Sequence, residues 1–177
     1  MDVRDDAVLK SISYRSFQMC LKDETFKSSS RHGKYLFVEL DRDETLVIHF
    51  GMTGDLKNYK NTVDDPQYAK VIFDLENGDK LAFICPRKFG SLRLADSKEK
   101  FIKDHELGPD AYSDFDWNGF KKMISSRRGS IKTTLMNQKV IAGIGNDYSD
   151  EILFQAKIYP FTKINDLEEE KLKEIWK

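Results

Sequence analysis

Cysteine is scarce in this 177-residue chain: Cys20 and Cys85 stand far apart, and no C-x-x-C occurs. That excludes a disulfide framework and a cysteine-rich zinc site, and reads as two reduced, mostly buried thiols in a reducing compartment. No apolar run reaches the roughly 18 residues that a spanning helix needs. The N-terminus MDVRDDAVLK lacks the shape of a secretory signal, so a soluble, cytoplasmic protein without membrane contact is expected. An excess of either charge is also missing: 29 Lys and Arg face 30 Asp and Glu, for a net charge of -1 and a pI near 6.3. A polyanion partner would therefore have to be held by local basic clusters. Internal repeats and low-complexity segments are not evident.

What is present has a globular composition, with 40% hydrophobic and 33% charged residues. The length suits one domain or two small ones. From Tyr35 to about Leu94, YLFVEL, TLVIHF, KVIFDL and KLAFI read as short strands separated by the polar turns DRDE and ENGD. Asn77-Gly78 supplies the positive φ angles of a tight hairpin. Ahead of them, Ser13 to Leu21 reads as a short helix with Phe17, Cys20 and Leu21 on one side. Gly108-Pro109 opens a linker, LGPDAYSDFDW, in which Asp116 can cap a helix bearing Trp117, Phe120 and Ile124. Beyond it the period is helical: Ile131 and Leu135, then Tyr148, Ile152, Leu153 and Ala156, then Leu167, Leu172, Ile175 and Trp176. Asn165 and Glu168 resemble a capping box for the last helix. The fold class expected is α+β, an antiparallel β-sandwich over 1–108 followed by a helical domain over 109–177.

Three segments can carry chemistry. The turn AGIGN separates two amphipathic helices, and its glycines allow a close approach of backbone amides to a ligand. The start of the following helix is a natural phosphate seat, with Asn146 as its cap or as a phosphate donor. Arg127, Arg128 and Lys132 supply cations nearby. The alternative is a plain interhelical turn in which Gly143 and Gly145 serve only backbone geometry. The second segment is CPRKFG, where Arg87 and Phe89 can enter a base stack in place of a flipped nucleotide. The alternative puts Phe89 in the core and Arg87 on the surface. HFGMTG adds Met52, exposed on a glycine-bounded loop or else a core filler. In the third, RHGKYL, Lys34 starts a strand and is either a solvated edge residue or a group that reaches a phosphate or a moving proton.

Taken in order, RHGKYLFVEL, HFGMTGDL, PRKFG, LGPDA, IKTTLMNQ and AGIGNDYSDEILFQAKIYP resemble the formamidopyrimidine-DNA glycosylase and endonuclease VIII family over most of the chain. The resemblance implies a β-sandwich followed by a helix–two-turn–helix DNA-binding domain, with damaged double-stranded DNA held between them by a monomer located with the nucleoid. It implies excision of oxidised purines, 8-oxoguanine and formamidopyrimidine, followed by AP lyase cleavage. It also implies that Lys34 assists proton transfer and binds phosphate. Met52, Arg87 and Phe89 would be inserted into the duplex. Arg127, Lys132 and Asn146 would contact phosphates, and Tyr148 belongs to the same DNA-binding motif.

The departures are equally specific. The family's nucleophile is an N-terminal proline followed by glutamate, whereas this chain begins MDVRDD. The family's four-cysteine zinc finger has no counterpart either, so no cofactor or metal is expected in this chain, structural zinc belonging to a longer form. The sequence therefore reads as a chain truncated at both ends, and a catalytically inactive damaged-DNA-binding fragment or paralogue is the alternative to an enzyme. A structural or ribosomal RNA-binding protein is a weaker third reading, opposed by CPRKFG and HFGMTG. Smaller departures are Cys85 where an acidic residue is common, Asp147 where an apolar residue usually follows Gly-Asn, and Tyr68 near the position of a DNA-contacting histidine.

Overall fold

Branched and aromatic residues alternating with polar ones set the secondary structure of the first of two units, Met1–Phe101 and Ile102–Lys177. The computed structural model describes residues 1–112 and 116–177; residues 113–115 of the linker read from the sequence lie outside the described residues. The first unit runs β1 (Asp2–Val3), a 3-10 turn (Asp6–Val8), α1 (Tyr14–Cys20), β2 (Ser28–His32), β3 (Tyr35–Glu39), β4 (Thr45–His49), β5 (Asp55–Lys60), β6 (Ala69–Asp74), β7 (Asp79–Ile84) and β8 (Ser91–Ala95). The strands form two antiparallel sheets, ordered β1-β6-β7-β5 and β2-β3-β4-β8. Both sheets contribute to one apolar core, with Leu46, Ile48 and Leu92 from one and Val71, Phe73 and Phe83 from the other. This is the sandwich expected from the sequence.

Helix α1 closes that core with the fully buried Phe17, and Ser13 caps it by accepting the Ser16 N–H. Cys20 and Leu21 are only half-buried. The Asn77-Gly78 turn differs in detail from its sequence reading. Only Gly78 is left-handed, at φ 83°, and its N–H donates to the Leu75 carbonyl at 3.0 Å. That is a type I turn closed by a left-handed glycine, the alternative three-residue hairpin solution. Helix α2 (Lys98–Asp104) follows the last strand, and its Phe101 meets Phe37 edge-on at 5.6 Å.

The second unit is helical: α3 (Trp117–Ser125), α4 (Ile131–Met136), α5 (Asn146–Gln155), a 3-10 turn (Ile164–Asp166) and α6 (Glu169–Trp176). Asp116 caps α3 as the sequence suggested, its Oδ1 accepting the Gly119 N–H at 2.8 Å. Phe120, Ile124, Ile131, Leu135, Leu153 and Leu172 share one core. Truncating Leu135 or Leu153 to alanine there costs about 2–5 kcal/mol, from lost transfer energy plus the cavity left behind. The Asn165 capping box is not formed. Asn165 lies in the 3-10 turn, α6 starts at Glu169, and Leu167 stands outside it. The Ile164 N–H donating to Gly129 O at 3.1 Å holds that stretch in the tighter turn.

Candidate nucleic-acid interface

In the first unit the site begins with a two-residue hairpin. His32 pairs with Tyr35, so Gly33 and Lys34 form the turn itself, with Gly33 left-handed at φ 56°. A glycine first in a two-residue turn matches the right-handed twist of the strands. Lys34 is therefore exposed on the turn rather than set within the strand. Opposite Tyr35 on β4 is His49, whose ring lies 5.0 Å from the tyrosine ring. His49 was passed over in the sequence, where it marked only the edge of HFGMTG. Its Nδ1 accepts the Gly51 N–H at 3.1 Å, which leaves the proton on Nε2. Burial, then the charges of Lys34 and Arg93, hold the His49 pKa below the usual histidine value. The result is a neutral imidazole with its N–H on Nε2, near the charge of Lys34.

The next loop carries Met52. The Gly54 N–H donates to Phe50 O at 2.8 Å, and a Cβ on Gly54 would fall 2.2 Å from that same oxygen. The turn therefore has room only for glycine, and it pushes Met52 outward, where the side chain is 71% exposed. The core-filler alternative for Met52 does not hold. Gly51 brings this loop against the next one: a Cβ there would meet the Phe89 carbonyl carbon at 2.6 Å.

That next loop, CPRKFG, is closed from inside. The Lys88 N–H donates to Cys85 O at 3.2 Å, and the Gly90 N–H donates to the buried Cys85 Sγ at 3.2 Å. The thiol thus acts as a hydrogen-bond acceptor inside the loop. Lys88 is left-handed at φ 56°. Phe89 is 60% exposed, and the Arg87 guanidinium carbon lies 5.0 Å from its ring centroid. An exposed ring carrying a guanidinium on its face is a ready stacking element, and the core placement of Phe89 is ruled out. Tyr68 joins the same edge: it is exposed and left-handed at φ 63°, and its carbonyl accepts the Cys85 N–H at 3.1 Å.

In the second unit the turn between α4 and α5 is organised by Gln138. Its Nε2 donates to Met136 O at 2.9 Å and to Ile144 O at 2.7 Å, while Oε1 accepts the Gly143 N–H at 3.0 Å. Gly143 is left-handed at φ 117°. Asn146 does not cap α5: the cap position is Gly145, no side chain caps the helix, and Asn146 is its first residue. The Asn146 amide points to Asp147 Oδ1 at 3.4 Å. The backbone of the first turn is thus left uncovered by any capping side chain, as an anion seat requires. Tyr148, read as part of an apolar face, is 72% exposed, whereas Ser149 takes the buried position and donates to Asn146 O at 2.7 Å.

Lys132 is engaged within the protein, 2.6 Å from Asp150 of α5. Arg127 and Arg128 are exposed beside the left-handed Gly129. Among the described residues no group of three or more histidine, cysteine and carboxylate side chains could hold a metal ion. No helix among them is long and apolar enough to cross a membrane.

An antiparallel sandwich whose glycine-shaped loops carry exposed Met52, Arg87 and Phe89, followed along the chain by a helical unit, defines a two-part α+β class of protein. Residues 1–92 match the formamidopyrimidine-DNA glycosylase N-terminal domain, and residues 107–177 match that enzyme's helix–two-turn–helix domain. The chain belongs to the formamidopyrimidine-DNA glycosylase family. It is 35% identical over 161 residues to the formamidopyrimidine-DNA glycosylase of Herpetosiphon aurantiacus, covering 90% of this chain and 59% of that protein. The Streptococcus mutans protein of the same name is 31% identical over 178 residues, covering 99% and 64%. The chain thus spans about three-fifths of the length of these curated relatives.

Among solved structures it is similar to the Lactococcus lactis enzyme bound non-covalently to DNA with an AP site, at TM-score 0.89 and 26% identity over 99% of this chain and 68% of that one. The same enzyme in complex with DNA containing FAPY-dG matches at TM-score 0.89, covering 66% of that chain.

Proposed function

We propose that this chain provides the duplex-gripping and base-wedging parts of a DNA glycosylase that excises oxidised purines, 8-oxoguanine and formamidopyrimidine, and then cleaves the abasic strand as an AP lyase. The observation that carries this reading is the exposed Arg87–Phe89 stack beside exposed Met52, on loops whose backbones touch through Gly51. These side chains would fill the space of an extruded nucleotide, with Arg87 toward the orphaned base. Lys34 and His49 offer N–H donors to a backbone phosphate, and Lys34 is the candidate for proton transfer at the sugar. The first turn of α5 with Asn146, together with Arg127 and Arg128, would seat further phosphates without reading sequence. The lyase step needs a secondary amine that attacks the sugar C1′ and forms a Schiff base.

The test is borohydride trapping on a duplex bearing 8-oxoguanine or an abasic site, run on this chain and on a form carrying Pro-Glu at its N-terminus ahead of it. A trapped adduct with the Pro-Glu form is expected, together with release of the oxidised base. No adduct with either form overturns the glycosylase-lyase reading. For the phosphate seat, Asn146→Ala is expected to weaken duplex affinity at low salt, and unchanged affinity counts against it.

A further inference from the structure

The loop that bears Arg87 and Phe89 is held from outside by a residue far away in sequence. Lys88 lies between the two exposed side chains, and its Nζ is 2.7 Å from Asp5 Oδ2. The same carboxylate takes Lys70 Nζ at 3.4 Å and, through Oδ1, the Ala7 N–H at 3.2 Å. Asp5 is mostly shielded from solvent, its side chain 19% exposed. It stands just after β1, which is itself fixed to β6 through Asp2 and Val3. Lys88 adopts a left-handed backbone, which a lysine rarely takes without an outside constraint. Two lysines converge on Asp5, so its carboxyl is held below the usual range by Lys88 first.

We infer that Asp5 is a positioning residue for the wedge: by holding the Lys88 ammonium it fixes the direction of residue 88 and leaves its neighbours, Arg87 and Phe89, free to project from the loop. The inference rests on the proposed reading of that loop as a base wedge. Lys88 is then a strut rather than a phosphate ligand. The anchors of the loop include the Lys88 N–H to Cys85 O, the Gly90 N–H to Cys85 Sγ, the Cys85 N–H to Tyr68 O, and the side-chain pair of Lys88 with Asp5. Of these only the last is made by a side chain outside the loop, and it can be altered there by substitution.

Charge and position make opposite predictions for Asp5→Asn. Removing a negative charge near a polyanion by itself strengthens binding to any duplex. Losing the strut weakens insertion at a lesion. Asparagine also preserves the cap on the Ala7 N–H, since it is as good an N-cap as aspartate. The experiment uses the full chain and a duplex with a tetrahydrofuran abasic-site analogue next to 2-aminopurine, whose fluorescence reports unstacking, alongside an undamaged control. For Asp5→Asn the lesion-to-undamaged affinity ratio and the fluorescence step are expected to fall at least threefold, with binding to undamaged duplex equal or tighter.

Lys88→Met should give the same loss, and the double variant should be no worse than either, because both remove the Lys88–Asp5 pair. Asp5→Glu should recover most of the ratio. An undiminished ratio in Asp5→Asn overturns the inference, as do additive losses in the double variant, which would make Lys88 an independent ligand. Melting by circular dichroism checks folding, and Asp5→Glu carries the test if Asp5→Asn fails to fold. A wild-type chain that shows no lesion preference removes the wedge reading itself, a result distinct from a preference that Asp5→Asn leaves intact.

Discussion

Lys132 Nζ lies 2.6 Å from Asp150 Oδ1, joining the first turn of α4 to α5 across the Gly143 turn. A cation so placed is half committed before any phosphate arrives. The pair is partly exposed, 22% and 47%, so it contributes only about 0.2–1 kcal/mol to stability. Asp150→Asn is therefore expected to lower the melting temperature slightly while freeing the ammonium. Duplex affinity should rise, and the slope of log K against log salt should steepen toward one more phosphate contact. A slope equal to that of wild type would show that Lys132 does not reach the backbone.

Gln138 ties the two ends of the same turn together with three side-chain hydrogen bonds, to Met136 O, Ile144 O and the Gly143 N–H. Gln138→Leu keeps the bulk and removes all three. Leaving partly buried backbone groups unpaired costs about 1–3 kcal/mol, so a clear loss of thermal stability is expected in the second unit. Amide exchange at Gly143 and Ile144 should speed up more than at Leu135, in the α4 core. Uniform acceleration would mean that the turn is not separately organised by this side chain.

The strands recognised in the sequence are those inside the sheets, and the ones overlooked are those at the edges. β3, β4, β6 and β7 each have neighbours on both sides, whereas β1, β5, β2 and β8 are the ends of the two sheets. Central strands such as TLVIH are almost wholly buried and must be apolar. Edge strands such as SSSRH and DLKNYK carry polar and charged residues that discourage pairing with another chain. Their strand character comes from the partner, as β2 shows in its full register with β3, and a local reading cannot see it.

The site divides in the same way. Met52, Arg87 and Phe89 were visible because glycines bound their loops, but composition alone left open whether they faced the core. The glycines settle that question only through backbone crowding: at Gly54 by Phe50, and at Gly51 by Phe89. His49 and Asp5 were missed because their meaning lies in pairings across the fold, with Tyr35 and with Lys88. Of the two roles open to Asn146, cap or phosphate donor, the cap falls: Asn before a helix is the usual signal, but Gly145 occupies that position.

Phe89 is a better wedge side chain to remove than Arg87, because its ring also supports Arg87 at 5.0 Å. Phe89→Ala is expected to lower lesion discrimination more than total affinity, since base–aromatic stacking is worth about 1–3 kcal/mol. Titrating abasic-analogue and undamaged duplexes side by side checks this. Equal losses on the two duplexes would contradict a wedge.

Stability should depend on pH through His49. Burial, followed by the charges of Lys34 and Arg93, depresses its pKa in the folded chain, whereas the unfolded chain titrates near the ordinary value of about 6.5. Between these two values the unfolded state binds more protons, so stability rises with pH across that window. The contribution is complete above about pH 6.5 and is lost as pH falls toward the depressed value. Melting temperatures measured downward from pH 7.5 should therefore decline in wild type. His49→Asn places an oxygen near Nδ1, keeps an acceptor for the Gly51 N–H, and cannot titrate. Its melting temperature should change less over the same range, and a profile parallel to wild type would assign the pH dependence to other groups.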